Sequence, residues 1–314
     1  KTVASTNAPV VPMDSNRALP DHTVIVSADR IKVMGPAATT PVPDGALLVD
    51  GRGKYLMPGL AEMHGHMPPP TPPKDFTDDV LFLYVANGVT TVLGMQGAPG
   101  QLELREAAQR GPIIAPTLYL AGPAFSGNSV RTPEEAGARV HEQKTDGWDV
   151  LKVQGGLSRE VYNAMAMTAR TIGLPFGGHV PIAVGVTHAL EMGQHTFDHL
   201  DGYAEQLNGL AQPVEEQALR ELVVRTKRAG AAMVPTLVVW ETLRGPVALE
   251  SRSSLTELRS MPRGTVEQWA KAVEKRLSDP QFNPTHAKQY IDNRLRILGA
   301  LHSGGVPILL GSDA

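Results

Sequence analysis

Short apolar runs separated by Gly, Pro and Asp dominate the first 55 residues of the chain. Three of these runs, at 23–27, 30–34 and 46–50, have the length and composition of β-strands. We therefore predict a small accessory domain over residues 1–55. We expect it to be a β-sandwich formed by the N-terminal strands, with partner strands beyond residue 314.

From Leu56 onward the pattern changes to alternating strands and helices. A strand leads up to His66, and seven further strands are predicted at 89–93, 117–121, 150–153, 175–180, 196–200, 232–237 and 306–310. Helices are predicted after the capping residues Thr132 and Ser158, near 183–192, over 213–229 and through most of 241–303. This α/β order predicts a (β/α)8 TIM-type barrel over residues 56–314, close to the typical barrel size of about 250 residues.

Composition limits the classes of function that the chain can have. It contains no Cys, which excludes disulfides and thiolate metal ligands, and its net charge is −3 without a cluster of Lys and Arg. We therefore predict a small-molecule substrate and no nucleic-acid partner, and we leave a homo-oligomer open. No apolar run reaches the ~18 residues of a membrane span. The chain starts at Lys1 without a visible signal peptide, so the compartment, cytoplasmic or exported, stays open.

His64 and His66 are the first candidates for chemistry. They lie two residues apart in a predicted strand, so their side chains point to the same face. Two imidazoles directed into one space are a plausible half of a metal site.

Functional residues of a (β/α)8 barrel lie at the C-terminal ends of its strands. Lys152, His179, His199 and Asp313 occupy such positions in the predicted strands. Imidazoles and a carboxylate suit Zn²⁺ or a similar divalent ion. Lys152 is costly to bury as a cation, and a neutral lysine amine can add CO₂ to form a carbamate, which is an anionic ligand able to bridge two metals.

These motifs resemble the amidohydrolase superfamily. The resemblance rests on the Met57-Pro-Gly-Leu60 run before His64, on Lys152-Val-Gln-Gly-Gly-Leu-Ser158 and on the closing Gly311-Ser-Asp313, and it covers essentially the whole chain. The flanking sequences are similar to the imidazolonepropionase-related branch, which includes prolidase-like Xaa-Pro dipeptidases.

The resemblance implies a binuclear metal centre. His64, His66 and Asp313 would hold the first ion, His179 and His199 the second, and carbamylated Lys152 would bridge them. Zn is the expected metal, with Mn or Co as alternatives. The implied activity is hydrolysis of an amide bond in a small substrate, such as a dipeptide or an N-acyl amino acid. A metal-activated hydroxide would attack, with Asp313 as general base and then acid.

Several alternatives stay open at this point. The same site could hydrolyse a lactone, a cyclic amide or a phosphotriester, or the chain could bind metal without turnover. Alternation predicts that Asp198 points away from His199 and that Asp201 lies close to it. Lower-ranking expectations concern the loops: Ser126, Asn128, Arg131, Tyr203 and Trp240 are placed in loops on the active face, Tyr203 or Arg131 is predicted to bind a substrate carboxylate, and 68–73 is a stiff loop or part of a lid.

Overall fold

The computed structural model describes residues 1–70, 74–111, 113–246, 256–261 and 263–313, and its contacts divide the chain into two compact units, Lys1–Leu60 and Ala61–Ala314. Of the predictions above, residues 71–73 of the Pro-rich loop, and 247–255 and 262 in the predicted helical stretch, lie outside the described residues. The assignment of a separate accessory domain and a hydrolase domain stays a prediction.

The first unit contains one four-stranded mixed sheet with the strand order β3-β2-β1-β4. Its strands are β1 (Thr2–Val10), β2 (Leu19–Ser27), β3 (Arg30–Pro36) and β4 (Leu47–Asp50). β1 pairs antiparallel with β2 and parallel with β4. No second layer is formed by residues 1–60, so the sandwich stays a prediction.

Strand β1 was missed in the sequence. Its register with β2 shifts twice between Ser5 and Val10, and Asn7 has a left-handed backbone with φ 59°. These irregularities interrupt the apolar alternation that would indicate a strand. Ala4, Ala8 and Val10 nevertheless face inward and are buried.

The second unit is a mixed α/β structure in which parallel strands alternate with helices. Two parallel sheets have the orders β5-β6-β7 and β11-β10-β9-β8. Their elements are β5 (Leu60–Gly65), α1 (Lys74–Ala86), β6 (Val89–Gly94), α2 (Gln101–Arg110), β7 (Thr117–Leu120), α3 (Pro133–Asp146), β8 (Leu151–Val153), α4 (Arg159–Thr171), β9 (Phe176–Gly178), α5 (Val186–Met192), β10 (Thr196–Asp198), α6 (Tyr203–Gln206), α7 (Glu216–Ala229), β11 (Ala232–Val234), α8 (Leu237–Arg244), a 3-10 turn (Thr256–Ser260), α9 (Arg263–Leu277) and α10 (Pro284–Ser303).

Backbone hydrogen bonds join the two sheets at both ends. A parallel bridge links Ala121 to Val150, between the strands β7 and β8. At the other end, Ile308 forms a parallel bridge with Met233, and Met63 N–H donates to the Leu310 carbonyl at 2.9 Å. The segment predicted as the last strand therefore lies between β11 and β5, although it forms a single bridge at Ile308 rather than a regular strand.

Local sequence signals explain the helices that follow the strands. Thr132 caps α3, and Glu135 completes a capping box with it, as predicted. Ser158 caps α4 by accepting from Val161 N–H. β11 ends at Val234, immediately before Pro235, which cannot donate to a sheet. No helix in the described part of the chain is both long and apolar enough to cross a membrane.

The larger apolar core packs helices against the outer side of β8–β11. Tyr162, Phe176, Phe197 and Tyr203 are fully buried in it. Replacing a fully buried aromatic residue by Ala typically costs 3–5 kcal/mol, so these contacts hold the strand ends in place. Two polar residues of the same strands, Lys152 of β8 and Asp198 of β10, are buried against one another and belong to the candidate site.

Candidate metal centre

His64 and His66 lie at the end of β5 and point to the same side, as the alternation of a strand predicts. Their ring centroids are 5.3 Å apart. His64 is almost fully buried, whereas the side chain of His66 is 37% exposed. His66 is therefore the member of the pair that an approaching small molecule can reach.

Asp313 lies opposite this pair, on the last described segment. Its Oδ1 is 3.2 Å from Nε2 of His64 and 2.9 Å from Nε2 of His66. The backbone holds the segment in place, because Asp313 N–H donates to the His64 carbonyl at 3.0 Å. Gly311 permits the approach, since a Cβ there would lie 2.3 Å from Cγ1 of Val234.

Glu62 fastens β5 to the same segment and was missed in the sequence. Its carboxylate is buried and accepts hydrogen bonds from the backbone N–H of His64 at 2.7 Å and of Ser312 at 2.9 Å. The period-two spacing could have found it, because Glu62 lies two residues before His64 on the same face.

Lys152 is directed into the centre from the middle of β8, while Leu151 and Val153 pack in the core. Its side chain is 1% exposed. Nζ lies 3.1 Å from Oδ2 of Asp198 and 3.4 Å from Nε2 of His64. The lysine is thus buried in an ion pair at the edge of the imidazole cluster.

The expected position of Asp198 was wrong. Asp198 does not point away from the site: it is fully buried, and its Oδ2 lies 2.8 Å from Nδ1 of His64. The reason is that β10 ends at Asp198 and the next residue, His199, has a left-handed backbone with φ 61°. Alternation does not continue through such a residue, so both side chains face the centre.

His179 and His199 complete the cluster, with ring centroids 4.7 Å apart. Nδ1 of His179 lies 2.7 Å from Oδ2 of Asp201, and Nδ1 of His199 lies 2.6 Å from Oγ1 of Thr236. When Nδ1 donates these bonds, Nε2 of each ring carries the lone pair that binds a metal. Asp201 is therefore a partner of a candidate ligand as expected, but of His179 rather than His199.

Of the two residues predicted to bind substrate, Tyr203 is buried in the core, whereas the role of Arg131 stays a prediction. Tyr203 is not in a loop: it begins α6, is fully buried, and its hydroxyl is 2.8 Å from Oγ1 of Thr226. Its hydroxyl is thus bonded inside the core. Arg131 is exposed in the loop before α3. Trp240 is not in a loop either, because it lies in α8 with its ring 5.7 Å from that of His199.

Charge and burial oppose one another in the centre. Burial alone would raise the pKa of Asp198 and of Asp313, but hydrogen bonds and the charges of their cationic neighbours keep both well below the usual range. Burial disfavours the protonated form of His64, yet its bonds to Asp198 and Asp313 outweigh burial and raise its pKa. Burial together with the charges of His64 and His179 lowers the pKa of His199 to about 4.

The donor set fits divalent metal ions. Two groups have ligand atoms within 4.8 Å of one another: His64, His66 and Asp313, and a second group of His64, Asp198 and His199. Oδ1 of Asp198 is buried and has no hydrogen-bond partner among the described residues, whereas Oδ2 contacts Lys152 and His64. An unsatisfied buried oxygen atom is rare, and here it belongs to a residue type that binds Zn²⁺ or Mn²⁺.

No protein-family model and no curated protein sequence matches the chain. Solved structures do match over its whole length. A bottromycin amidohydrolase has a TM-score of 0.75 at 23% identity, with 69% of its own chain covered. A Xaa-Pro dipeptidase with bound methionine in the active site has a TM-score of 0.69 at 16% identity, with 80% covered. The chain has the fold of prolidase-like amidohydrolases. An ochratoxinase from A. niger shares it, with a TM-score of 0.69, 18% identity and 76% of its chain covered.

Proposed function

We propose that the protein is a metal-dependent hydrolase that cleaves an amide bond of a small substrate, such as a dipeptide or an N-acyl amino acid. The proposal rests on one observation: four imidazoles, two carboxylates and a lysine lie together in the candidate centre. The segments that supply them span 250 positions of the sequence. The names of two structural neighbours, an amidohydrolase and a dipeptidase, support amide hydrolysis over other chemistry.

We further propose that the second unit is a closed (β/α)8 barrel. The support is the series of bridges that joins β7 to β8 and β11, through Ile308 and Leu310, to β5. In such a barrel the loops at the C-terminal ends of the strands form the substrate site.

Two divalent ions, preferably Zn²⁺, would be held here. In this proposal His64, His66 and Asp313 bind the first ion and His179 and His199 the second. Bound ions polarise a carbonyl oxygen and lower the pKa of water toward ~7. Asp313 would take a proton from the attacking water and pass it to the nitrogen of the leaving amine as the C–N bond breaks.

Lys152 has two possible roles. As a neutral amine its Nζ could attack CO₂ and release one proton, which gives a carbamate able to bridge two ions. In the alternative, Lys152 is not a metal ligand, and a single ion is held by His64, His66 and Asp313. The observation that favours this alternative is the 3.1 Å contact of Lys152 Nζ with Oδ2 of Asp198, in which the amine donates a hydrogen bond to the carboxylate and stays out of the ligand set.

A panel of substrates tests the activity. Protein loaded with Zn²⁺, Mn²⁺ or Co²⁺ should hydrolyse at least one class among dipeptides and N-acyl amino acids, and chelator treatment should abolish the activity. If the protein hydrolyses lactones, cyclic amides or phosphotriesters but no dipeptide or N-acyl amino acid, the proposed amide hydrolysis is wrong and one of these alternatives takes its place. Protein that takes up no metal under any condition would contradict the proposal altogether.

Metal uptake should depend on pH. His64 must lose its proton to bind a metal, and its pKa is raised in the metal-free fold, so affinity should rise with pH until His64 is neutral. Below that point each pH unit should lower the apparent affinity about tenfold for the one proton displaced. Calorimetric titrations of Zn²⁺ in buffers of different ionisation enthalpy would count the released protons. His195→Gln, at an exposed histidine, is the control and should change nothing, while uptake without proton release would contradict the assignment.

A further inference from the structure

A cavity of about 540 Å³ opens beside the candidate centre. Asp201 and Trp240 line it, and both also contact the imidazole cluster, since Asp201 is bonded to His179 and the Trp240 ring lies 5.7 Å from His199. The volume lies within the range of ~300–1,000 Å³ typical of small-molecule sites. The cavity is therefore lined by two residues that contact the proposed metal ligands His179 and His199.

A buried arginine stiffens one side of the cavity. Arg294 is 1% exposed, and its Cζ lies 5.0 Å from the Trp240 ring and 5.4 Å from the Tyr290 ring. Nη1 donates to the Tyr290 hydroxyl at 3.1 Å and Nη2 to the Pro235 carbonyl at 3.2 Å. Both aromatic rings line the cavity, and the shared cation holds them in fixed positions.

Arg244 and Arg276 line the same cavity and have no carboxylate partner among the described residues. Cζ of Arg244 lies 5.8 Å from the Trp240 ring, and Cζ of Arg276 lies 5.3 Å from the Phe282 ring. Arg276 donates through Nη1 to the Gly245 carbonyl, but its Nε and Nη2 are buried and have no hydrogen-bond partner in the described part of the chain. Burial and the charge of Arg244 lower the pKa of Arg276.

Three acidic residues also line the cavity, and none of them forms an ion pair with Arg244 or Arg276 among the described residues. Asp201 is bonded to His179, and Asp279 accepts from the backbone N–H of Gln281. Glu205 forms no ion pair with a described residue, and together with Asp201 it contributes to the raised pKa of Tyr290. Two uncompensated guanidinium groups beside aromatic surface match a ligand with an anion and an apolar group.

We propose that Arg244 and Arg276 bind a carboxylate of the substrate, whose aromatic or apolar side chain packs on Trp240 and Phe282. This inference rests on the proposed function and assigns the residues that would recognise the free carboxylate and the adjoining side chain of an acyl amino acid or dipeptide. Two ring distances, 5.7 Å from His199 to Trp240 and 5.8 Å from Trp240 to Arg244, connect the candidate centre to the carboxylate subsite.

Binding of two uncleavable probes tests the subsite without requiring turnover. Isothermal calorimetry on metal-loaded protein would compare 3-phenylpropanoate with 3-phenylpropanol, which differ in the carboxylate. Wild type should bind the acid at least about tenfold more tightly, because a hydrogen bond to a charged group contributes roughly a 10- to 100-fold gain. The preference should disappear in the Arg244→Gln/Arg276→Gln variant and persist in Arg263→Gln, whose arginine is exposed on α9 and paired with Glu267.

The single variant Arg244→Gln is the control for misfolding of the double variant. Arg276 also donates a hydrogen bond to the Gly245 carbonyl at the end of α8, whereas the Arg244 side chain forms no such bond among the described residues. The single variant should lose most of the preference while its circular dichroism stays unchanged. Equal affinity of the two probes for wild type, no binding of the acid at millimolar concentration, or a preference that survives in the double variant would each overturn the proposal. An arginine-dependent preference in a protein that hydrolyses nothing would retain the subsite and reject the proposed activity.

Discussion

Asp313→Asn is expected to lower kcat by a factor of about 10²–10⁴, which is the usual contribution of a positioned proton carrier. The amide retains an oxygen at a similar position but cannot take a proton from water or deliver one to the leaving amine. Asp313 is the group best placed for this transfer, because its Oδ1 lies within 3.2 Å of both His64 and His66.

The measurement is kcat normalised to bound metal, since Asp313 is also a proposed ligand. Metal content would be determined on the same samples by atomic absorption. Asp146→Asn, at an exposed aspartate at the end of α3, is the matched control and should retain full activity. An Asp313→Asn protein that is fully loaded and keeps its rate within tenfold of wild type would eliminate Asp313 as the proton carrier.

Lys152→Ala is the second change with a large expected effect. Removing one partner of a buried ion pair typically costs about 3–5 kcal/mol. Here the fully buried Asp198 loses its contact with Lys152 and retains the one with His64. The free energy of unfolding of metal-free protein, measured by urea denaturation, should fall by this amount. Lys144→Ala, on the exposed face of α3, should be close to neutral.

The double variant Lys152→Ala/Asp198→Ala separates the two roles of the lysine. With the buried carboxylate also removed, stability should recover partly, so the two losses should not add. Metal content then decides between the models. A carbamate bridge predicts that Lys152→Ala loses bound metal and rate together, whereas an unchanged two-metal stoichiometry would refute the bridge.

The positions of the candidate ligands could be predicted because strand ends are marked locally. Val, Leu and Thr runs define the strands, and a polar residue at the end of such a run faces the inner side when the alternation is regular. His64, His66 and His179 meet this condition, Lys152 is the inward-facing residue within its strand, and the structure brings all four together with His199 and Asp313. The helix caps at Thr132 and Ser158 are also local signals, and the sequence predicted both of them.

The other features of the site depend on long-range contacts, which a local sequence pattern does not contain. Asp198 faces the centre because the backbone turns left-handed at His199, and a non-glycine residue gives no sequence signal for that turn. The placement of Trp240 in a helix, and the cavity it lines, result from packing of α8 against α10. Arg244 and Arg276 line the same cavity from positions more than thirty residues apart in the sequence.

The bond between Glu62 and Ser312 has a consequence for folding. It joins the first and last segments of the second unit, which are separated by 250 positions, so the entropy of closing nearly the whole unit opposes its formation. Contacts of such sequence separation form late and slow folding down. His64 and Asp313 come together in the same event, so high-affinity metal binding should appear only when the last segment has docked. A divalent ion would then stabilise the docked arrangement selectively, and its uptake would report this docking step in real time.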